Sequence, residues 1–178
     1  MRIVAAAALL GLLLHLPGMA WGAETPPELV RAVKAAEEDG GALFEATQQP
    51  VAVDPQAVSK ARGMISNLCA FDYKPTAVSL RGRRAIYFLA QSSRPDDIVF
   101  GRHFKVVGAT VSVSTGTCFN SGTPPANVVG VFSTHLLSPV PTEFHVYLSL
   151  KHRKPIFVAT SVGNWAIDKG KVLFMNRR

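Results

Sequence analysis

Beyond residue 22 the side chains with the widest chemical reach are four histidines, His103, His135, His145 and His152, together with the only two cysteines, Cys69 and Cys118. Imidazoles that hold a metal usually recur at a fixed short spacing, and no HxxxH, HExxH or CxxC spacing occurs, so neither a metal nor a cofactor is expected. An imidazole acting as an acid or base needs a carboxylate nearby to orient it. After Lys60 the only carboxylates are Asp72, Asp96, Asp97, Glu143 and Asp168, most of them in segments with the composition of turns. Asp96 and Asp97 in particular read as a solvated turn inside Ser92-Ser93-Arg94-Pro95. His145 alternates with Phe144 and Val146, which would put it beside Tyr147 on the opposite face of a strand, and His135 falls in a similar context. A cavity lined by His135, His145 and Tyr147 is the one acid-base site this pattern offers. The GxSxG nucleophile turn and the GxxxxGK[ST] and GxGxxG phosphate loops are all missing from the sequence.

Two dense basic runs carry the other candidate chemistry: Arg81, Arg83 and Arg84 around Gly82, and Lys151, Arg153 and Lys154 around His152. Guanidinium and ammonium groups at that density grip carboxylate, phosphate or sulfate, and at a turn tip they also keep a sheet edge from pairing. Nucleic-acid modules interleave such charges with aromatics, and only Tyr87 and Phe88 follow the first run closely, so sequence-specific nucleic-acid binding is not expected. The formal net charge is +7, but its distribution says more. Residues 23–59 carry two basic and seven acidic side chains, and residues 60–178 carry sixteen basic and five acidic ones. Such a split serves either attraction between the two halves within the fold or an anionic partner.

The chain that must position these groups opens with Met1-Arg2, an apolar run to Leu16, then Pro17 and small residues, the layout of a cleavable export signal over residues 1–22. Export implies an oxidising compartment, periplasmic or secreted, in which Cys69 and Cys118 are expected to pair. No later stretch has the apolar length of a membrane span. Residues 23–178 are expected to form a single domain, helical over 23–70 and antiparallel β over 71–178. Gly40-Gly41 ends the first helix, while Asp54-Pro55 opens a second whose stripe Val58, Ala61, Ile65, Leu68 makes it the packing helix. Residues 76–91 read as a hairpin or one bulged strand around Arg81-Gly82, 104–115 as one strand bent at Gly108, and 128–137 as a strand. The centre of the sheet is assigned to 142–175, where alternation over 144–150, 156–162 and 165–174, broken at 151–155 and at Asp168-Lys169-Gly170, predicts two joined hairpins.

Helices first, strands after and no βαβ alternation make the fold class α+β. The expected form is N-terminal helices on one curved antiparallel sheet of about six strands, wrapped round the second helix in the manner of cystatin-like or nuclear-transport-factor-like rolls. The alternative is a β-sandwich with the helices at one end. The functional expectation is an exported, non-enzymatic binding protein that meets an acidic protein or an anionic envelope polymer through its basic sheet, as an inhibitor, immunity factor or secretion accessory would. Two rivals belong to other classes: an envelope enzyme using the His135, His145, Tyr147 cavity, and a structural subunit of a surface assembly.

Overall fold

The computed structural model describes residues 23–175; the expected export signal over 1–22 lies outside the described residues. The class is α+β, but the strands number eight and form two four-stranded sheets rather than one curved sheet of six. Three α-helices run over Val30–Gln48 (α1), Pro55–Gly63 (α2) and Glu143–His152 (α3). The first sheet orders β1 (Asp72–Leu80), β2 (Arg83–Gln91), β3 (Phe104–Val107) and β4 (Thr110–Val113) as a continuous antiparallel meander. The second orders β5 (Val131–Thr134), β6 (Ile156–Ala159), β7 (Asn164–Asp168) and β8 (Lys171–Met175). Its first pair is parallel, because α3 carries the chain from the end of β5 back to the start of β6, and its other pairs are antiparallel. The chain therefore does contain one βαβ unit, against expectation.

The segment expected as the central strand, 144–150, is instead the central helix. Phe144, His145, Val146, Tyr147, Leu148 and Ser149 are consecutively buried, so α3 is enclosed on every side and has no polar stripe to betray a helical period. Its ends are locally determined. Thr142 caps its first turn in a reciprocal box with His145, and Arg153 closes it in the left-handed region (φ 51°) two residues before Pro155.

The main core lies between the two sheets. It joins Val78, Leu80, Tyr87 and Leu89 of the first to Ile156, Val158, Trp165, Ile167 and Phe174 of the second through α1 and α3. The packing helix is thus α3. Helix α2, capped by the Asp54 carboxylate on the Gln56 N–H, covers only a satellite cluster on the other face of the first sheet, with Ala61 and Ile65 against Ile86, Phe88, Phe104 and Val106.

Three turns resolve the segments whose periodicity was ambiguous. Residues 76–91 are a hairpin closed by Arg81-Gly82, both at positive φ, which suits the tight turn that follows strand twist. The supposed bent strand 104–115 is also a hairpin, turning at Gly108-Ala109. Lys169-Gly170 closes β7 on β8 as expected, whereas 151–155 is a helix exit and not a hairpin turn. Cys69 and Cys118 form a disulfide with Cα atoms 5.6 Å apart, tying the segment after α2 to the one after β4. No described helix is long and apolar enough to cross a membrane.

Helix α1 does not stop at Gly40-Gly41 but runs through it, because α3 needs the space. A Cβ on Gly40 would lie 2.5 Å from Val146 Cβ and 2.8 Å from the Glu143 carbonyl oxygen, while one on Gly41 would meet nothing within 4 Å. Two neighbouring glycines in one helix should therefore respond with opposite signs. Gly40→Ala forces the two helices apart and should cost about 1–3 kcal/mol, whereas Gly41→Ala should gain up to about 1 kcal/mol by restoring helix propensity. Urea denaturation of the two single variants checks this, and equal gains would mean that α1 and α3 do not cross at Gly40.

Candidate functional site

The second basic run surrounds the exit of α3. Lys151 and His152 occupy its last turn, Arg153 its left-handed cap and Lys154 the link to β6, so the cations stand at the end of the helix dipole that favours them. A pocket of about 300 Å³ opens there, lined by these four residues and by Pro95, Asp96, Ile98, Thr123 and Pro124. Among the described residues Lys151, Arg153 and Lys154 form no ion pair. Lys154 Nζ instead donates to the Val128 carbonyl (3.0 Å), and Lys151 Nζ sits 6.0 Å from the centre of the Tyr147 ring. Partial burial, then the charge of Lys74, lowers the pKa of Lys151 below the ordinary lysine value. His152 Nε2 is buried without a partner. Burial, then Lys151, brings the pKa of His152 down to about 4 although Asp96 opposes them, so its ring is neutral near pH 7. Each of these perturbations would be relieved by an anion in the pocket.

The opposite wall is held by Asp97, which is not the solvated turn residue expected but a buried hub. Its Oδ2 accepts from Ser92 Oγ (2.7 Å), Asn120 Nδ2 (3.0 Å) and Arg94 Nε (3.3 Å), and its Oδ1 from Thr123 Oγ1 (2.8 Å). The bonds from Asn120, Ser92 and Thr123 hold its carboxyl well below the usual carboxylate range. Two loops distant in sequence, 92–97 and 120–124, are thereby fixed beside the α3 exit. Only the exposed Asp96 brings a negative charge to the pocket rim.

The first basic run converges only in part: Arg81 and Arg83 share one depression, where Arg81 is already paired, and Arg84 lines another. Arg81 Nη2 bonds Asp39 Oδ1 at 2.6 Å, and its Nη1 lies 3.9 Å from Glu38. Arg83 and Arg84 follow one another in a strand and so point to opposite faces. Arg83 lines a depression of about 240 Å³ with Asp39 and Lys105, and Arg84 another of about 180 Å³ beside α2.

Of the expected cavity, His135 and His145 do meet, with ring centres 4.9 Å apart, but Tyr147 belongs elsewhere, edge-on to His103 at 6.5 Å. His145 is on a helix, not a strand. Its Nδ1 accepts from the Thr142 N–H (3.1 Å), which leaves the proton of the neutral ring on Nε2. His103 is likewise fully engaged: Nδ1 accepts from the Ala90 N–H (3.0 Å) and Nε2 donates to the Val99 carbonyl (2.7 Å). Burial brings His103 down to about 4, and burial with the neighbouring His135 and His103 brings His145 down to about 3. Burial raises Tyr147 to about 12. His103 and His145 are thus core components whose proton positions are set by backbone bonds. Sequence reasoning took Asp97 for a solvated turn residue and named His152 only as a member of the basic run; the burial of Asp97 and of His152 Nε2 depends on loops distant in sequence.

Comparison with protein-family models, with curated proteins and with solved structures returned no match.

Two buried neutral imidazoles make stability depend on pH with a definite sign. The unfolded chain takes up protons near pH 6.5, while folded His103 and His145 resist until about 4 and about 3. Between those limits the unfolded state binds more protons, so their contribution is complete above pH 6.5 and is lost as pH falls. At pH 5 the loss should be about 2 kcal/mol for each of the two. Urea midpoints measured from pH 7.5 to pH 5 read it directly, and a flat profile across that range would mean that both rings are accessible to protons.

Proposed function

We propose that this is an exported, non-enzymatic binding protein that takes an anionic group of an acidic protein or an anionic envelope polymer into the pocket at the exit of α3. The observation that carries this reading is the gathering of Lys151, Arg153 and Lys154, none of them ion-paired, around one concavity of about 300 Å³. Four other cationic side chains, by contrast, are bound up with carboxylates: Arg81, Arg94 and Lys105 on the first sheet and its turns and Lys171 on the second sheet all have partners within the fold. A carboxylate, phosphate or sulfate entering the pocket would find an ammonium already partly stripped of water, a buried imidazole nitrogen to donate to it and a guanidinium at the rim.

Binding of a capped hexaglutamate peptide and of polyphosphate, measured by titration across a salt series, tests this. The triple variant Lys151→Gln, Arg153→Asn, Lys154→Gln should weaken both at least tenfold, with asparagine chosen because it tolerates the left-handed cap. Stability should change by no more than roughly 0.5 kcal/mol for each of the exposed Lys151 and Arg153, and by about 1 kcal/mol for Lys154, whose bond to the Val128 carbonyl is lost. The double variant Arg83→Gln, Arg84→Gln, whose side chains diverge, should change binding less than threefold. Affinity should fall steeply with salt, since exposed charges are screened beyond about 8 Å at physiological ionic strength. Unchanged affinity in the triple variant together with a flat salt response would overturn the reading.

A further inference from the structure

A concavity of about 520 Å³ lies between β5 and the segment that follows β4, and the basic pocket has no part in it. One wall is residues 132–137, the other residues 115–119, and no lining residue carries a formal charge. β5 is an edge strand: its only ladder partner is β6. The N–H groups of Val131 and His135 donate across that ladder to Pro155 and Ala159. Strand alternation therefore turns the N–H and C=O groups of Phe132 and Thr134 the other way, into the groove, where they have no partner among the described residues. Four of the chain's exposed large apolar side chains, Phe119, Phe132, Leu136 and Leu137, stand around the same groove, Phe132 at 60% and Leu136 at 74% exposure. At its floor is His135, only 2% exposed, its ring making no well-formed hydrogen bond and only a weak approach to the Ser114 backbone. Burial, only partly offset by the Ser114 backbone and by Glu143, keeps its pKa below the ordinary value, so it faces the groove as a neutral ring.

We infer that this groove is a strand-addition site: it takes an extended, uncharged segment of a partner polypeptide, which pairs with the free edge of β5 through Phe132 and Thr134. Three observations select that occupant. Backbone donors and acceptors repeating at two-residue intervals are matched by another strand and not by a lipid chain or a small apolar molecule. An uncharged lining in a chain of formal charge +7 matches an uncharged segment, since a buried charge there would find no counter-ion. The far wall is fastened, with Cys118 bonded to Cys69 and Thr115 Oγ1 donating to the Thr117 carbonyl (2.6 Å). The groove is thus bounded opposite β5 by a fixed wall, which suits a single extended strand. Phe132 lies in register with Phe157, Ala166 and Leu173 across the outer face of the second sheet, so an added strand would extend that apolar row with the residue it places beside Phe132.

The test uses capped, uncharged hexapeptides in which threonine alternates with valine, leucine or phenylalanine, titrated into isotope-labelled protein. At least one should bind saturably and slow amide exchange of Phe132 and Thr134 at least tenfold, with a shift of the His135 ring nitrogens. N-methylating the alternate peptide amides that face β5 should weaken binding at least tenfold. Thr134→Pro, which removes a groove-facing N–H and leaves the β6 ladder intact, should do the same; the N-methylated peptide decides the matter if that variant does not fold. No saturable binding by any of the three peptides, or equal binding by the N-methylated form, which is apolar adsorption without pairing, would overturn the inference. So would protection of Phe132 and Thr134 that appears with rising protein concentration alone, since a second copy would then be the occupant.

Discussion

Everything in this fold is arranged about one buried ion cluster. Asp39 of α1 accepts from Arg81 at the first hairpin (2.6 Å) and from Lys105 of β3 (3.0 Å), and Lys105 also donates to Glu143 in the first turn of α3 (3.0 Å). Asp39, Lys105 and Glu143 keep only 8%, 17% and 14% of their side-chain surface. Taking three charges so far from water is costly, and only mutual pairing offsets it, so each must find the others in one geometry. Burial alone would lower the Lys105 pKa, but Glu143 and Asp39 outweigh it and hold the ammonium above its ordinary value. Beneath them the Tyr87 hydroxyl is pushed well above the phenol range, by burial first and then by Glu143 and Asp39, which keeps a third negative charge out of the cluster.

The cluster sets where α3 begins, and the position of α3 sets the rest. Gly40, next to Asp39, removes the only side chain that would hold Val146 away from α1, so the ion pairs and the close helix contact seat the same crossing. Two residues into α3, His145 closes the cap and reaches His135 at the floor of the uncharged groove. At the other end the helix delivers Lys151 to Lys154 to the basic pocket. The division of charge along the sequence follows from this. Three acids of α1 are engaged inside the fold, Glu37 by Lys171 and the Val172 N–H, Glu38 by Arg81, and Asp39 by Arg81 and Lys105. Among the described residues that form no ion pair, Lys151, Arg153 and Lys154 stand together at the exit of α3.

What could be read from the sequence was whatever is decided locally. Asp54-Pro55 caps α2, Lys169-Gly170 closes a hairpin, and two cysteines find one another; each depends on a few neighbouring residues or on a count, whereas at Arg81-Gly82 the sequence left a hairpin and a bulged strand equally open. The failures share one physical cause, which is burial on all sides. A helix enclosed between two sheets has no solvent face, so 144–150 shows an apolar run that strand alternation fits as well as helical period does, and its aromatic and β-branched residues favour the strand reading. Gly40-Gly41 resembles a helix stop because the reason for a glycine there is Val146, a hundred residues later. Assigning 144–150 to a strand removed the crossover, and without it the two sheets merged into one. In the candidate site the basic residues were legible but their convergence was not. Both runs look alike in sequence, and only the placement of Asp39 beside Arg81, and of Asp97 behind the other pocket, distinguishes a spent cluster from a free one.

Six residues of α3 separate His145, at the groove, from Lys151, at the pocket, about 9 Å at the helical rise and so just past the roughly 8 Å over which charges act in physiological salt. The groove at one end is lined without formal charge, and its imidazoles are held neutral by burial; the pocket at the other end carries three cations against the single acid Asp96. Their physics is therefore separable: added salt screens the pocket and leaves ladder pairing and apolar contact at the β5 edge in place. One rigid helix, fixed at its first turn by Glu143, thus keeps a strand-pairing edge and an anion pocket in constant relation, so a partner that offered both an uncharged strand and an acidic group would meet the second already positioned by the first.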